Sequence, residues 1–308
     1  MALGDGIAQA EEPQACEVAE VIEEATELLE DEAEALARAD AAIEGTDAAG
    51  GLALTVAYRG EAFSGYARQP GQLTVQGELE QALQLVFRRP VATVCAGRTD
   101  TGVHACGQVV SFPITSEELT ALDGRRLLRS LNALTHDDIA VREVRPVPLE
   151  FSARFDACWR EYRYFLCIDE APPVLSRDFA WHCGPLDAGA MERASRCLIG
   201  EQDFKSFCKA VSAVDKPTCR NLMEVSFREE EHGGEHLLVM RVVGSSFLHS
   251  MVRTLVGTLA MVGKGKRPEG WVAEVLGARD RTAAGECAPA CGLVLWKVGY
   301  EGEADAWA

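Results

Sequence analysis

The sequence predicts an α+β fold in which two α/β halves share one mostly antiparallel sheet and enclose a central cleft. Three observations carry this. From Leu52 to Val298, segments of β-branched and alternating apolar residues take turns with segments of helical spacing. The alternation completes one β-α-β-rich cycle before about residue 150 and a second one after it. The composition, 47% hydrophobic and 25% charged, is that of an ordinary globular chain, and no apolar run nears the roughly 20 residues that span a bilayer.

Residues 52–58 open the first cycle as a strand. Thr74 is placed to cap a helix over 75–87, whose Leu79, Leu83 and Val86 share an inner face. Residues 91–95 and 108–112 read as strands, Ser116 caps a helix running through Leu131, and residues 139–144 form another strand. The second cycle starts with the strand 161–168, followed by a helix over 187–199 and strands over 223–227 and 237–243. A long helix over 247–263, a shorter one over 269–277 and a closing strand over 293–298 complete it. No sequence repeat links the two cycles.

Residues 1–50 stand apart. They hold 15 Asp and Glu against the single Arg38, a net −14 of the chain's −18, so the remaining 258 residues carry only −4. Val18, Val21, Ile22, Ala25, Leu28 and Leu29 fall at helical spacing among glutamates, and the Gly-rich stretch 45–51 reads as a linker. The segment is either a solvated, partly helical or disordered acidic tail, or a phosphate mimic that folds back onto a basic cleft. Three parts result: the tail 1–50, an N-terminal half 51–149 and a C-terminal half 150–308. Between residues 51 and 163 all 13 basic residues are Arg, and the first lysine is Lys205. Arginine grips phosphate with two hydrogen bonds and stacks flat on a base.

The 11 cysteines are odd in number and irregularly spaced, so they read as reduced, small buried hydrophobes. Cys287-x3-Cys291 has ligand-like spacing but lacks a second pair, which gives no metal site. The start, Met1-Ala2-Leu3-Gly4-Asp5, lacks the basic and apolar stretches of a signal peptide, and the expected setting is the cytoplasm without a membrane.

Chemistry concentrates in Ala96-Gly97-Arg98-Thr99-Asp100-Thr101-Gly102-Val103-His104-Ala105, a glycine-flanked loop between two strands. Such a loop exposes a carboxylate at a sheet end and lets backbone approach a ligand closely. On residue type alone Asp100 is a nucleophile, a base or a turn-capping residue, and His104 a packed or a catalytic histidine.

Four further segments bear on that choice. They are Tyr58-x4-Phe63-Ser64-Gly65-Tyr66 with Thr74-Val75-Gln76; Phe151-Ser152-Ala153-Arg154-Phe155 leading to Tyr162-Arg163-Tyr164; Gly200-Glu201-Gln202-Asp203-Phe204-x-Ser206-Phe207; and Phe247-Leu248-His249-Ser250-Met251-Val252-Arg253 with Ala288-Pro289-Ala290-x-Gly292-Leu293. With the Asp100 loop, these resemble the tRNA pseudouridine synthase A family in order and spacing, from about Leu52 to Tyr300.

The resemblance implies a pseudouridine synthase fold of two ferredoxin-like or RRM-like halves. It also implies an enzyme that isomerises uridine in the anticodon stem-loop of tRNA, works as a homodimer and needs neither cofactor nor metal. By the same resemblance Asp100 attacks the nucleoside or abstracts a ribose proton, Arg253 pairs with Asp100, and Tyr162 packs on the target uracil and assists at C5. Arg98 helps to hold the flipped base and Arg154 binds a nearby phosphate, although Arg154 in a structural ion pair is equally compatible with its sequence.

Phe247 and Met251 read as core, one helical turn apart, and His249 as structural. The chain departs from the family pattern at Tyr66-Ala67, where Gly-Trp-Gln is usual and Tyr66 keeps the aromatic face. It departs again at Arg59 and Gln202, where aspartate and histidine are usual. Two other classes share parts of this pattern: a non-catalytic tRNA-binding protein of the same fold, and a nucleoside hydrolase. The second usually needs clustered aspartates or a metal, and the first has no use for an intact Asp100, Tyr162 and Arg253.

Overall fold

The computed structural model describes residues 48–209 and 217–302. Among the described residues ten strands form one sheet: β1 (Ala48–Tyr58), β2 (Val94–Cys95), β3 (His104–Thr115), β4 (Ile139–Val147), β5 (Trp159–Cys167), β6 (Trp181–His182), β7 (Gly200–Asp203), β8 (Cys219–His232), β9 (Glu235–Gly244) and β10 (Leu293–Gly299). The α-helices among the described residues are α1 (Val75–Phe87), α2 (Ser116–Thr120), α3 (Gly124–Leu134), α4 (Ala188–Ser195), α5 (Met251–Gly263) and α6 (Trp271–Ala278). The strand order is β4-β1-β3-β10-β5-β9-β8-β7, with β2 beside β3 and β6 beside β5.

The two cycles have one topology. β1-α1-β2-β3-α3-β4 gives the order β4-β1-β3-β2, and β5-α4-β8-β9-α5-β10 gives β10-β5-β9-β8. Each is the split β-α-β arrangement of ferredoxin-like domains. The halves join where β3 runs parallel to β10, His104 opposite Val294 and Ala105 opposite Leu295. Gly107 permits that approach, since a Cβ there would lie 2.4 Å from the Trp296 carbonyl oxygen. All other pairings are antiparallel except β5 with β6.

The helices line one face, where Leu79 and Leu83 of α1, Leu127 and Leu131 of α3, and Leu255 and Leu259 of α5 join the main core. Eleven of the 13 residues of α5 are buried, which makes it a central helix rather than a surface one. The other face holds a smaller cluster of Phe165, Cys167, Leu237, Val239 and Val294 under Phe179 and Trp296. Among the described residues no helix is long and apolar enough to cross a membrane.

Several expected boundaries move. The linker over 45–51 is strand from Ala48 onward, because Ala48, Gly50 and Gly51 pair with Thr115, Ile114 and Pro113. The acidic helical pattern over 18–36 and the rest of the linker lie outside the described residues. The single helix from Ser116 is two helices. Thr115 caps α2 in a reciprocal box with Glu118, and Asp123 accepts from the N–H groups of Arg125 and Arg126 to start α3. The helix over 247–263 begins only at Met251, since Ser250 takes a left-handed conformation at φ 57°. Phe247 and Met251 are therefore not a helical pair. Residues 196–199 leave α4 for a tighter turn at Arg196–Leu198.

Of the cysteines, Cys167 and Cys208 are buried as expected, whereas Cys158 and Cys219 are exposed.

Candidate active site

Asp100 sits on the turn between β2 and β3, at the seam of the two halves. The turn is held from below. Val103 N–H donates to Asp100 O at 3.1 Å, Tyr66 N–H to Thr99 O at 3.0 Å, and Gln108 Nε2 to Gly97 O at 2.5 Å. The Thr99 hydroxyl shares a hydrogen bond with Tyr58 Oη at 2.7 Å in the buried layer beneath. Gly65 and Gly102 take positive φ values of 93° and 78°, which glycine tolerates without a Cβ clash. Gly65 lies against the turn, where a Cβ would be 3.2 Å from Thr99 O.

The opposite half supplies the donors. Ser250 Oγ donates to Asp100 Oδ2 at 3.1 Å and Arg253 Nη1 to the same oxygen at 3.4 Å, while His249 Nε2 lies 3.3 Å from Oδ1. Three groups from five consecutive residues thus surround one carboxylate. Arg253 is fixed by its own Nε, which donates to Ala288 O at 2.7 Å, while Ala288 N–H returns a bond to Arg253 O at 3.1 Å. Ser250 makes no side-chain cap for α5, and its hydroxyl is spent on Asp100 instead. A serine held at positive φ carries strain of about 1–3 kcal/mol, of the kind found at functional positions. The carboxylate also lies at the start of α5, where the helix dipole favours negative charge. Asp100 and His249 side chains are each 29% exposed and Arg253 19%, so the cluster is open to a ligand.

Tyr162 rises from the middle of β5, paired with Leu295 and Val242. Its ring meets Phe247 edge-on, with centroids 5.0 Å apart. Burial, and then the negative charge of Asp100, push its phenol far above the ordinary tyrosine range. It is a neutral hydroxyl on a flat face at any working pH. A Cβ on Gly97 would lie 3.8 Å from Tyr162 Oη, so the space over that glycine opens beside the phenol.

Arg98 is half-buried next to Asp100, and Arg154 is exposed before β5. Both guanidinium charges act on the half-buried Cys95, whose thiol desolvation pushes up to about 11. Arg154 also lies 5.6 Å from the ring of Phe155, itself 65% exposed. The structure therefore brings Asp100, Arg253 and Tyr162 together, with Arg98 two residues before Asp100 in the same turn and Arg154 exposed before β5.

Other expectations change. His249, read as structural, faces Asp100, and Phe247, read as core, flanks Tyr162. No helical spacing signals the first, because His249 lies in the turn before α5 begins at Met251. Tyr66 offers no aromatic face to a ligand, being 1% exposed, with its ring packed 6.2 Å from Tyr58. His104 is the packed histidine, since its Nδ1 accepts from Gly60 N–H at 3.1 Å, and burial, then the charge of Arg59, lower its pKa. Arg59 itself faces Glu61 at 3.1 Å and Asp178 at 3.3 Å on the surface.

Arg160 was not singled out in the sequence at all. It is 9% exposed and donates to the carbonyls of Ala96, Arg154, Ala157 and Ser245, tying the root of the Asp100 turn to the β9–α5 connection. Nothing in a local pattern marks an arginine whose partners are all backbone. Among the described residues, no three His, Cys, Asp or Glu side chains gather as a metal-binding set.

Comparison with known proteins identifies the family. The family described as tRNA pseudouridine synthase matches residues 54–156 and 194–301. The tRNA pseudouridine synthase A of Bacillus velezensis is 42% identical over 250 residues, 80% of this chain and 98% of that protein. Its namesake from Cronobacter sakazakii is 44% identical over 250 residues, 81% and 89% of the two chains. The one from Bacillus subtilis is 42% identical over 253 residues, 81% and 99%. Among solved structures, a chain of a Cbf5-Nop10-Gar1 complex aligns at TM-score 0.30 and 12% identity, over 68% of this chain and 45% of that one.

Proposed function

Because the chain belongs to the tRNA pseudouridine synthase family, we propose that it isomerises uridine to pseudouridine in tRNA with Asp100 as the reacting carboxylate. The observation that carries the reading is the convergence of Ser250, His249 and Arg253 on Asp100, with the Tyr162 ring beside them. The net change breaks the C1′–N1 bond, forms C1′–C5 and moves one proton from C5 to N1. An ionised carboxylate starts it, either by attack at C1′ or by removing a ribose proton, with the Arg253 guanidinium 3.4 Å from it. Tyr162 enters protonated. It supplies a flat face for the uracil and a hydroxyl toward the migrating ring, not a resting phenolate.

The uridine must leave its stack before Asp100 reaches C1′, which costs a few kcal/mol. In this reading Arg98, two residues before Asp100 in the same turn, holds the flipped nucleotide. Arg154, exposed with Phe155, is placed to meet phosphate at the rim. By family resemblance the target lies in the anticodon stem-loop and the enzyme acts as a cytoplasmic homodimer.

Asp100→Asn and Asp100→Ala test the assignment. Pseudouridine formation should vanish in both while tRNA binding stays within a few-fold of wild type. Incubation with tRNA carrying 5-fluorouracil should give a retained or rearranged adduct with the wild type alone. Turnover by Asp100→Ala would refute the role of the carboxylate. Binding of tRNA without turnover by the wild type would point to the non-catalytic reading.

A further inference from the structure

Away from Asp100, at the far end of α5, the protein has an open groove of about 390 Å³. Its lining brings together Trp181 and Trp271, three cations, Lys264, Lys266 and Arg267, and one carboxylate, Glu286. The three cations are exposed and fall within four residues, a density no other window of the chain reaches. They are not scattered surface charges. Lys264 Nζ lies 5.3 Å from the ring centroid of Trp181, and the Arg267 guanidinium 5.0 Å from that of Trp271. The nearby Glu269 pairs with Arg193 at 2.8 Å and so is engaged elsewhere.

The groove is aligned with the reacting site. Arg253, Gly257, Ala260 and Lys264 recur at helical spacing along one face of α5. Segment 285–288 packs on that face, where a Cβ on Gly257 would lie 1.9 Å from Glu286 O. Eleven residues of helix separate Arg253 from Lys264, about 17 Å. That is about five steps along a nucleic-acid strand.

We propose that this groove seats a second nucleotide of the tRNA, several steps from the reacting uridine. The base packs in the groove beside the two indole–cation pairs, its phosphates lie on Lys264, Lys266 and Arg267, and Glu286 accepts from base N–H groups. Paired flat rings and cations are the complement of a nucleotide, whereas phosphate alone would need no indole and an apolar ligand no cations. The proposal rests on tRNA as the substrate, and its test separates binding from turnover.

The test is the double variant Lys266→Glu/Arg267→Glu in the full-length protein, neither residue being part of the reacting site. Its tRNA Kd, measured over a salt series, should rise about 30-fold, and the slope of log K against log salt should fall by about 2. The rate at saturating tRNA should stay within two-fold. Trp271→Leu should weaken tRNA binding at least five-fold and Trp271→Phe much less, with melting curves showing that both fold. An unchanged Kd and slope in the double variant overturns the inference while leaving the reaction at Asp100 untouched. Tighter tRNA binding by the double variant, with carbodiimide cross-links in the wild type from Lys264 or Lys266 to carboxylates of residues 1–47, would assign the groove to the acidic segment and also overturn it. So would tryptophan quenching by free AMP combined with unchanged tRNA affinity, which would make it a mononucleotide site.

Discussion

Replacing Gly60 by Ala should slow the reaction about a hundredfold without touching any reacting group. Gly60 starts the short turn Gly60–Ala62 that follows β1, and its Cα faces the back of the Asp100 turn. A Cβ there would lie 2.1 Å from Val103 O and 2.8 Å from Gly102 C, both backbone atoms without a rotamer to escape into. Such contacts do not fall below about 3.0 Å, so the two segments must part by about 1 Å. Val103 N–H is bonded to Asp100 O, so the turn moves as a unit and carries the carboxylate with it. The contacts of Asp100 at 3.1, 3.3 and 3.4 Å are already near the limit of hydrogen bonding, and a further ångström breaks them.

Misplacement of a reacting group by about 1 Å lowers rates about 10²-fold, or about 2.7 kcal/mol. Overpacking also destabilises by about 1–3 kcal/mol, which lowers Tm by several degrees in a domain of this size. The assay is single-turnover pseudouridine formation at saturating tRNA, with melting measured on the same samples. Gly124→Ala is the control, since a Cβ there meets nothing within 4 Å. A folded Gly60→Ala protein reacting within three-fold of wild type would refute the reasoning.

Two other expectations can be checked in parallel. Ser250→Gly should raise Tm by a few degrees, because glycine accepts φ 57° without strain worth about 1 kcal/mol, yet it should lower kcat about tenfold by removing the hydroxyl from Asp100; a variant both more stable and fully active would disconnect that hydroxyl from catalysis. His104 should make the protein less stable in mild acid. Its folded pKa lies below the usual 6.5, so its contribution is complete above 6.5 and is lost as the pH falls from 6.5 through the folded value, the unfolded chain taking up the proton first. Urea melts at pH 7.5 and 5.5 should therefore differ more in wild type than in His104→Gln, and equal differences would count against the assignment.

What the sequence reveals here is what is local. The helix over Val75–Phe87 was legible to the residue because its cap and apolar face are written in adjacent positions. The Asp100 turn was legible because glycines punctuate it. The two similar halves were legible in the alternation of strands and helices and in the family resemblance, whereas the strand pairing that joins them was not, since it resides in which strands meet and not in which residues recur. The seam between residues 104–105 and 294–295 joins segments almost 200 positions apart. Ser250 escaped notice because its importance lies in one left-handed backbone angle, and Arg160 because its partners are carbonyls present at every residue. Family resemblance supplied Arg253 and Tyr162, which no local pattern marked.

The parallel seam between β3 and β10 has a consequence for how the enzyme is switched on during its own synthesis. Asp100 leaves the ribosome with the first half, while its three donors and Tyr162 belong to the second, and β10, which locks them in register, comes last of all. β10 lies between β3 and β5, so a chain ending before residue 293 lacks the strand that bridges the two halves and should fail to form pseudouridine.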